Sequence, residues 1–267
     1  MPVSLEEVAA GDPNLRPYTE LLAGALEAAR EPLWLQTVTG LEVSALARLH
    51  AGEPVLHGAV LSLPQQALTT LYDRLRGAIP SPAAPGEGEG VGGLSLQALN
   101  EVLSLQLTDG PLATILQLAL LPVLVAAAKN CAGAVAEAQW QNGICPVCAA
   151  WPALTESRGM DRLRMLRCGR CGSEWKLRWQ LCPFCANDAH ASLTYLYSDE
   201  LGEARRVFAC ERCHGYLKTL ATLSAIEPLS VAVQDLATLE LDLAALDAGY
   251  QRPAEAGFSL DVQLIWQ

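Results

Sequence analysis

The sequence predicts an α+β protein. An N-terminal antiparallel helical bundle occupies residues 1–140, two tandem four-cysteine ribbons follow over 141–181 and 182–218, and a C-terminal helical segment with a tail fills 219–267. Three observations carry this expectation: apolar residues recur at three and four spacings before Trp140, four Cys-x-x-Cys pairs crowd the region after it, and helical spacing returns beyond Cys213. With 51% hydrophobic and 18% charged side chains among 267 residues, a core forms without metal, so a metal need stabilise only part of the chain.

The helical expectation rests on NLRPYTELLAGALEAAREP, GLEVSALARLH, LPQQALTTLYDRLRGAI and LSLQALNEVLSLQL, where strand-like alternation is almost absent. SPAAPGEGEGVGG, residues 81–93, breaks both helix and core patterns and reads as a mobile loop. PLATILQLALLPVLVAAA, residues 111–128, carries no charge and reaches membrane-spanning length. Thr114, Gln117 and Pro122 interrupt it and no basic flank precedes it, so a buried central helix kinked at Pro122 is expected rather than membrane insertion. Cys131, just beyond, lacks a partner at Cys-x-x-Cys spacing and reads as a small buried hydrophobe.

After Trp140 the texture becomes strand-like in RLRML, EWKLRWQL and SLTYLY. Trp175, Leu177, Trp179 and Leu181 alternate with Lys176, Arg178 and Gln180, as on a strand joining two modules. LKTLATLSA and DLATLELDLAALDAGY return to helical spacing, and the tail after Arg252 reads as short and irregular.

The chemistry lies in Cys145/Cys148, Cys168/Cys171, Cys182/Cys185 and Cys210/Cys213. Two residues between cysteines let one turn bring both sulfurs to a single metal while backbone amides face them, so eight cysteines suit two tetrahedral sites. Sequential pairing of the knuckles, rather than interleaved or nested pairing, leaves room for a two-stranded hairpin in each module, with DELGE as the second module's turn. The residue after each second cysteine tends toward positive φ. Gly172 suits that position, Ala149 and Ala186 carry a Cβ costing about 1 kcal/mol there, and His214 precedes Gly215, the glycine expected in that role. His214 is not needed as a ligand, and His50, His57 and His190 lack ligand spacing.

Charge narrows the partners. Lys plus Arg against Asp plus Glu number 6 against 14 in residues 1–140, 11 against 8 in 141–218 and 1 against 7 in 219–267, for a net charge of −11. That balance disfavours nucleic acid as the main partner. Arg158, Arg162, Arg164, Arg167, Arg170, Lys176 and Arg178 read first as compensation for thiolate charge and solvated strand faces, and second as a surface for an acidic partner. The acidic, Pro-broken start MPVSLEEVAAGDPNLRP has no secretory pattern, so a reducing compartment is expected, where cysteines serve metal rather than disulfides. Zinc and iron both accept four thiolates. A full cysteine set leaves no open coordination position, and the sequence shows no nucleophile–base pair, phosphate-cradling loop or dinucleotide fingerprint; an enzyme is not expected.

GICPVC, RCGRCGSEW, CPFC, CERCHGYLK and DLATLELDLAALDAGYQR, spread over residues 143–262, together resemble the formate dehydrogenase accessory protein (FdhE-like) family. The alanines after Cys148 and Cys185 depart from its usual glycine, and the N-terminal half matches only in being helical. The resemblance implies a cytoplasmic maturation protein or chaperone that binds the catalytic subunit of a molybdenum or tungsten formate dehydrogenase. It also implies two rubredoxin-like centres, iron in preference to zinc, on the eight paired cysteines. Two other classes stay open: a zinc-ribbon adaptor for nucleic acid or protein using residues 158–178, and a rubredoxin-like electron carrier. For Tyr216, Leu217 and Lys218, anchoring of the last ribbon to the following helix is the first reading.

Overall fold

The uncharged run at residues 111–128 must be surrounded to stay in water, and in the computed structural model it is. Residues 3–79, 94–197 and 204–267 are described; the loop expected at 81–93 and the DELGE turn at 199–203 lie outside them. The chain opens with α1 (Leu5–Gly11), started by a capping box between Ser4 and Glu7, and α2 (Arg16–Ala28). A 3₁₀ stretch, Pro32–Val38, leads to α3 (Leu41–His50), β1 (Ala59–Leu63), α4 (Gln65–Gly77) and α5 (Leu96–Leu103). Next comes α6 (Gly110–Asn130), which runs through Pro122 and packs against α2, α3, α4, α5 and the 3₁₀ stretch. Among the described residues it is the one helix long and apolar enough to cross a membrane, and 72% of its apolar window is buried inside the protein. Cys131 caps it, fully buried, its thiol pushed up to about 11 by burial. The short α7 (Ala132–Ala138) follows and packs on α3.

The cysteine region forms one sheet. The strands β2 (Leu154–Arg158), β3 (Leu163–Arg167) and β4 (Glu174–Lys176) make an antiparallel meander, as do β5 (Leu193–Tyr197), β6 (Arg205–Cys210) and β7 (Tyr216–Thr222). Parallel pairing of β2 with β7, Leu154 beside Lys218, fuses them into six strands ordered β4-β3-β2-β7-β6-β5. The chain then forms α8 (Val231–Leu236), α9 (Leu239–Asp247) and β8 (Val262–Trp266).

Four expectations are corrected. LKTLATLSA, expected to be helical, is strand β7 as far as Thr222, because β2 and β6 flank it and supply a ladder on both sides that overrides its local helical spacing. The helical region contains a strand, and the tail after Arg252 is not irregular: β8 pairs in parallel with β1, burying Leu61, Leu63, Val262 and Leu264. Five residues of alternation are too few to stand out beside the helical run LPQQALTT. The C-terminal segment thus returns to the helical half, and a continuous hydrophobic core joins that half to the first cysteine group. The strand expected through residues 175–181 stops at Lys176, because the Arg164 guanidinium donates to the carbonyls of Arg178 (3.0 Å), Trp179 (3.1 Å) and Leu181 (2.7 Å) and holds them in an irregular path. Trp175 and Leu177 are buried while Trp179 is exposed. Finally, the arginines of 158–178 are not mainly on solvated faces. Arg164 and Arg167 are buried, and Arg170 reaches the carbonyls of Val102 and Leu103 at the end of α5.

Two four-cysteine centres as the candidate functional site

Each cysteine pair builds the same knuckle. The amide of the first cysteine donates to the carbonyl five residues on in all four: Cys145 to Ala150, Cys168 to Ser173, Cys182 to Asn187 and Cys210 to Gly215, at 2.8–3.0 Å. The residue after the second cysteine is left-handed in every case, with φ of 61° at Ala149, 74° at Gly172, 53° at Ala186 and 55° at His214. His214 itself therefore takes the position for which Gly215 was expected. Gly215 is required for another reason: a Cβ there would lie 2.5 Å from the Phe184 ring.

The knuckles pair sequentially. Cys145, Cys148, Cys168 and Cys171 form one group and Cys182, Cys185, Cys210 and Cys213 the other, with all sulfurs in a group within 4.8 Å of one another. Between knuckles the sulfurs stand 3.5 Å apart (Cys145–Cys171 and Cys148–Cys168) and 3.7–3.8 Å apart (Cys182–Cys213 and Cys185–Cys210). A tetrahedron with metal–sulfur bonds of about 2.3 Å has edges of about 3.8 Å, so both groups suit one metal ion each.

Electrostatics agree with that fit. In the first group burial and the neighbouring thiols push Cys145 and Cys171 well up, while hydrogen bonds from those same neighbours hold Cys148 well down. A cation lets all four become thiolates at once. In the second group burial raises Cys210, but the amides of Cys213 and Arg212 and the Asn187 side chain bring it to about 7. The Val147 amide faces Cys145 Sγ (3.4 Å), the Gly215 amide faces Cys213 Sγ (3.4 Å) and the Ser173 hydroxyl lies 3.1 Å from Cys171 Sγ. Arg170 lies within electrostatic reach of Cys148, and Arg164, stacked 4.6 Å over the Phe208 ring, within reach of Cys182. Each centre thus has one buried or half-buried arginine against its negative charge.

The centres differ in setting. All four sulfur-bearing residues of the first are fully buried, whereas Cys185 and Cys213 of the second are half-buried. The first is bolted to the helical half: the Val55 and Leu56 amides donate to the carbonyls of Pro146 (2.8 Å) and Val147 (3.1 Å). The two centres also touch. A Cβ on Gly143 would sit 1.7 Å from the Pro183 carbonyl oxygen, so the approach of the CPFC knuckle to the GICPVC knuckle requires glycine there.

Two polar networks behind the centres were not legible as networks. Glu156 accepts from Arg158 (3.0 Å), Arg167, the Thr222 hydroxyl (2.9 Å) and the Ile226 amide (3.2 Å), tying β2, β3, β7 and the following loop. Lys218, fully buried, meets Asp235 (2.6 Å) and Asp242 (2.7 Å); Arg252 bonds the same two aspartates, and the Tyr216 hydroxyl donates to Asp242 (2.7 Å). Tyr216 and Lys218 do anchor the last ribbon strand to α8 and α9. Both networks left only their residue types in the sequence: a Lys in an apolar strand and two Asp at helical spacing in DLATLELD.

Comparison with known proteins bears on the same region. A family model described as FdhE, C-terminal domain, matches residues 166–258. A protein FdhE homolog from Stutzerimonas stutzeri (strain A1501) is 37% identical over 114 residues, 42% of this chain and 36% of that one. Another from Shewanella baltica (strain OS185) is 35% identical over 104 residues, 38% and 34% of the two chains. A third, from Aquifex aeolicus (strain VF5), is 29% identical over 116 residues, 42% and 40%. The matched stretches span little more than a third of these relatives' lengths. The crystal structure of the FdhE protein from Pseudomonas aeruginosa superposes with a TM-score of 0.60 at 24% identity, covering 94% of this chain and 91% of that one, which establishes a shared fold.

Proposed function

For this chain, which belongs to the FdhE-like family, we propose a role as an accessory protein that binds the catalytic subunit of a formate dehydrogenase in the cytoplasm and assists its assembly or activation. One observation carries the reading: the family match coincides with the cages, residues 166–258 containing six of the eight paired cysteines. We read each cage as the holder of one metal ion, iron or zinc, on Cys145, Cys148, Cys168 and Cys171, and on Cys182, Cys185, Cys210 and Cys213. A bound ion supplies cross-linking of two knuckles and, if iron, a one-electron couple.

The chain's own residues argue for binding rather than turnover. Four sulfurs fill a tetrahedral ion's coordination, so no position is left for substrate. The knuckle amides, Ser173 and Asn187 neutralise thiolate charge, and Arg164 and Arg170 compensate what remains. The arginines that a nucleic-acid adaptor would present are turned inward, leaving mainly Arg162, Lys176 and Arg178 outside. The test is co-purification: metal-loaded protein should retain a formate dehydrogenase catalytic subunit, and a variant with Cys182 and Cys185 changed to Ser, checked for folding, should retain less. Failure of the loaded wild-type protein to retain the subunit overturns the reading.

A further inference from the structure

Among the described residues the six-stranded sheet ends at β4, and no backbone group pairs with its outer edge. Leu177 donates to the Arg164 carbonyl (3.4 Å) and Cys168 to that of Ser173 (3.0 Å), which sets the alternation of the β3–β4 ladder. Trp175 therefore bonds inward to β3, and the N–H and C=O groups of Glu174 and Lys176 face away from the sheet. A groove of about 640 Å³ runs along this edge. It is lined by residues from both sheet faces, so it lies beside the strand rather than above it. One wall is apolar, with Ala132 and Ala136 of α7 exposed and the buried Trp140 and Trp175 behind them; the other carries Met165, Lys176 and Arg178. Lys176 and Arg178 are exposed and make no ion pair with any described residue, whereas the groove's acidic residue, Glu174, is bound to Arg158 at 2.6 Å.

The geometry points to this groove as the docking site for an extended segment of a partner polypeptide, added as a seventh strand beside β4. An open ladder edge selects an extended backbone, because only that presents N–H and C=O groups at the matching spacing. The pleat then sends alternate side chains to opposite walls. One set meets Ala132 and Ala136, backed by the two buried tryptophans, and must be apolar; the other meets Lys176 and Arg178 and is matched by carboxylates. The occupant is therefore a segment alternating apolar and acidic residues. The first centre sets this edge directly, since Cys168 bonds to Ser173, which opens β4, and the Ser173 hydroxyl lies beside Cys171 Sγ. The knuckle that would hold metal in that centre therefore also fixes where the docking strand begins. The inference rests on the client-binding reading only for which protein supplies the segment.

The groove is tested with peptides of roughly ten residues alternating Val with Glu, Lys or Ser, titrated into zinc-loaded protein and followed by tryptophan fluorescence and label anisotropy. The Val–Glu peptide is expected to bind at least about tenfold more tightly than the Val–Lys peptide, and to lose about tenfold in each of three variants. Ala136→Trp fills the groove, Arg178→Glu reverses its charge, and Lys176→Pro removes an outward N–H at an edge position that tolerates proline, with Lys176→Ala as its charge control. Circular dichroism and metal content verify the fold of each. Absence of Val–Glu binding, or equal binding of the three peptides or by the three variants, overturns the inference. Retention of the formate dehydrogenase subunit is measured in parallel. A subunit retained equally by Ala136→Trp overturns the subunit as the source of the segment and leaves the functional reading; a Val–Glu peptide bound by a protein that retains no subunit keeps the groove and overturns that reading.

Discussion

Replacing Glu156 with Ala should be among the most damaging single changes outside the cysteines. The side chain is fully buried, and its removal leaves Arg167, 1% exposed, in the interior with Glu174 at 3.5 Å and the Gly172 carbonyl at 3.3 Å as its remaining partners. Removing one member of a buried ion pair costs about 3–5 kcal/mol, since the other charge stays desolvated. Arg158 keeps Glu174 at 2.6 Å, which limits the loss on that side, while the Thr222 hydroxyl and the Ile226 amide each lose an acceptor worth about 1 kcal/mol. The expected cost is therefore about 3–5 kcal/mol, a large part of a typical net stability of about 5–15 kcal/mol. Glu156→Gln, which keeps acceptors but not charge, should lose about half as much. Glu156→Leu combined with Arg167→Met should recover most of the loss, because no uncompensated charge remains. Urea unfolding of zinc-loaded protein, at one free-zinc concentration and read by tryptophan fluorescence, measures the three variants against the wild type. A Glu156→Ala loss below about 1 kcal/mol, or a double variant no better than the single, refutes the argument.

Three further outcomes follow from the same geometry. Burial raises the Asp242 carboxyl, but the Lys218 and Arg252 charges more than offset it and hold it below the usual range; its contribution is then complete above the unfolded carboxylate pKa of about 3.9 and disappears as pH falls through the lower folded value. Asp242→Asn should accordingly flatten the acid limb of a stability–pH curve, and a wild-type curve with no loss below about pH 4 counts against the network. Ala186→Gly and Ala149→Gly relieve a left-handed Cβ costing about 1–2 kcal/mol against about 0.5–1 kcal/mol of added backbone freedom, so each should raise stability slightly; a fall in melting temperature contradicts the knuckle geometry. A chelator should remove metal in two phases, with iodoacetamide first labelling Cys185 and Cys213, the half-buried sulfurs of the second centre. Labelling of Cys145 or Cys171 first reverses that order.

The candidate site was largely written in the sequence because its geometry is local. A two-residue gap dictates the knuckle turn, and the turn dictates a left-handed residue after it, which is why Ala149, Gly172, Ala186 and His214 share one conformation despite having three different side chains. The helix at residues 110–130 was legible for a different reason: an uncharged run of that length has few ways to stay in water. Where reasoning from local pattern failed, a distant group decided. Alternation alone continued the strand to Leu181, yet Arg164, some fifteen residues earlier, captures the carbonyls that a strand would need. Arginines that look like a basic surface are internal because Glu156 and the α5 carbonyls wait for them.

The parallel pairings were the least legible, and they bear most directly on how the centres act. A parallel partner is separated by a long crossover, so nothing near Leu154 announces Lys218, and nothing near Ala59 announces Val262. Yet β2 leaves the first centre shortly after Cys148 and β7 leaves the second shortly after Cys213, and because the strands are parallel both centres lie at the same end of that pair. Gly143 against Pro183 closes the remaining space between them. The two cages thus sit together at one end of one sheet rather than as beads on a string. Loss of an ion from the second centre, whose Cys185 and Cys213 are half-buried, would free the CPFC knuckle where it packs on Gly143, so the two sites are coupled through that contact.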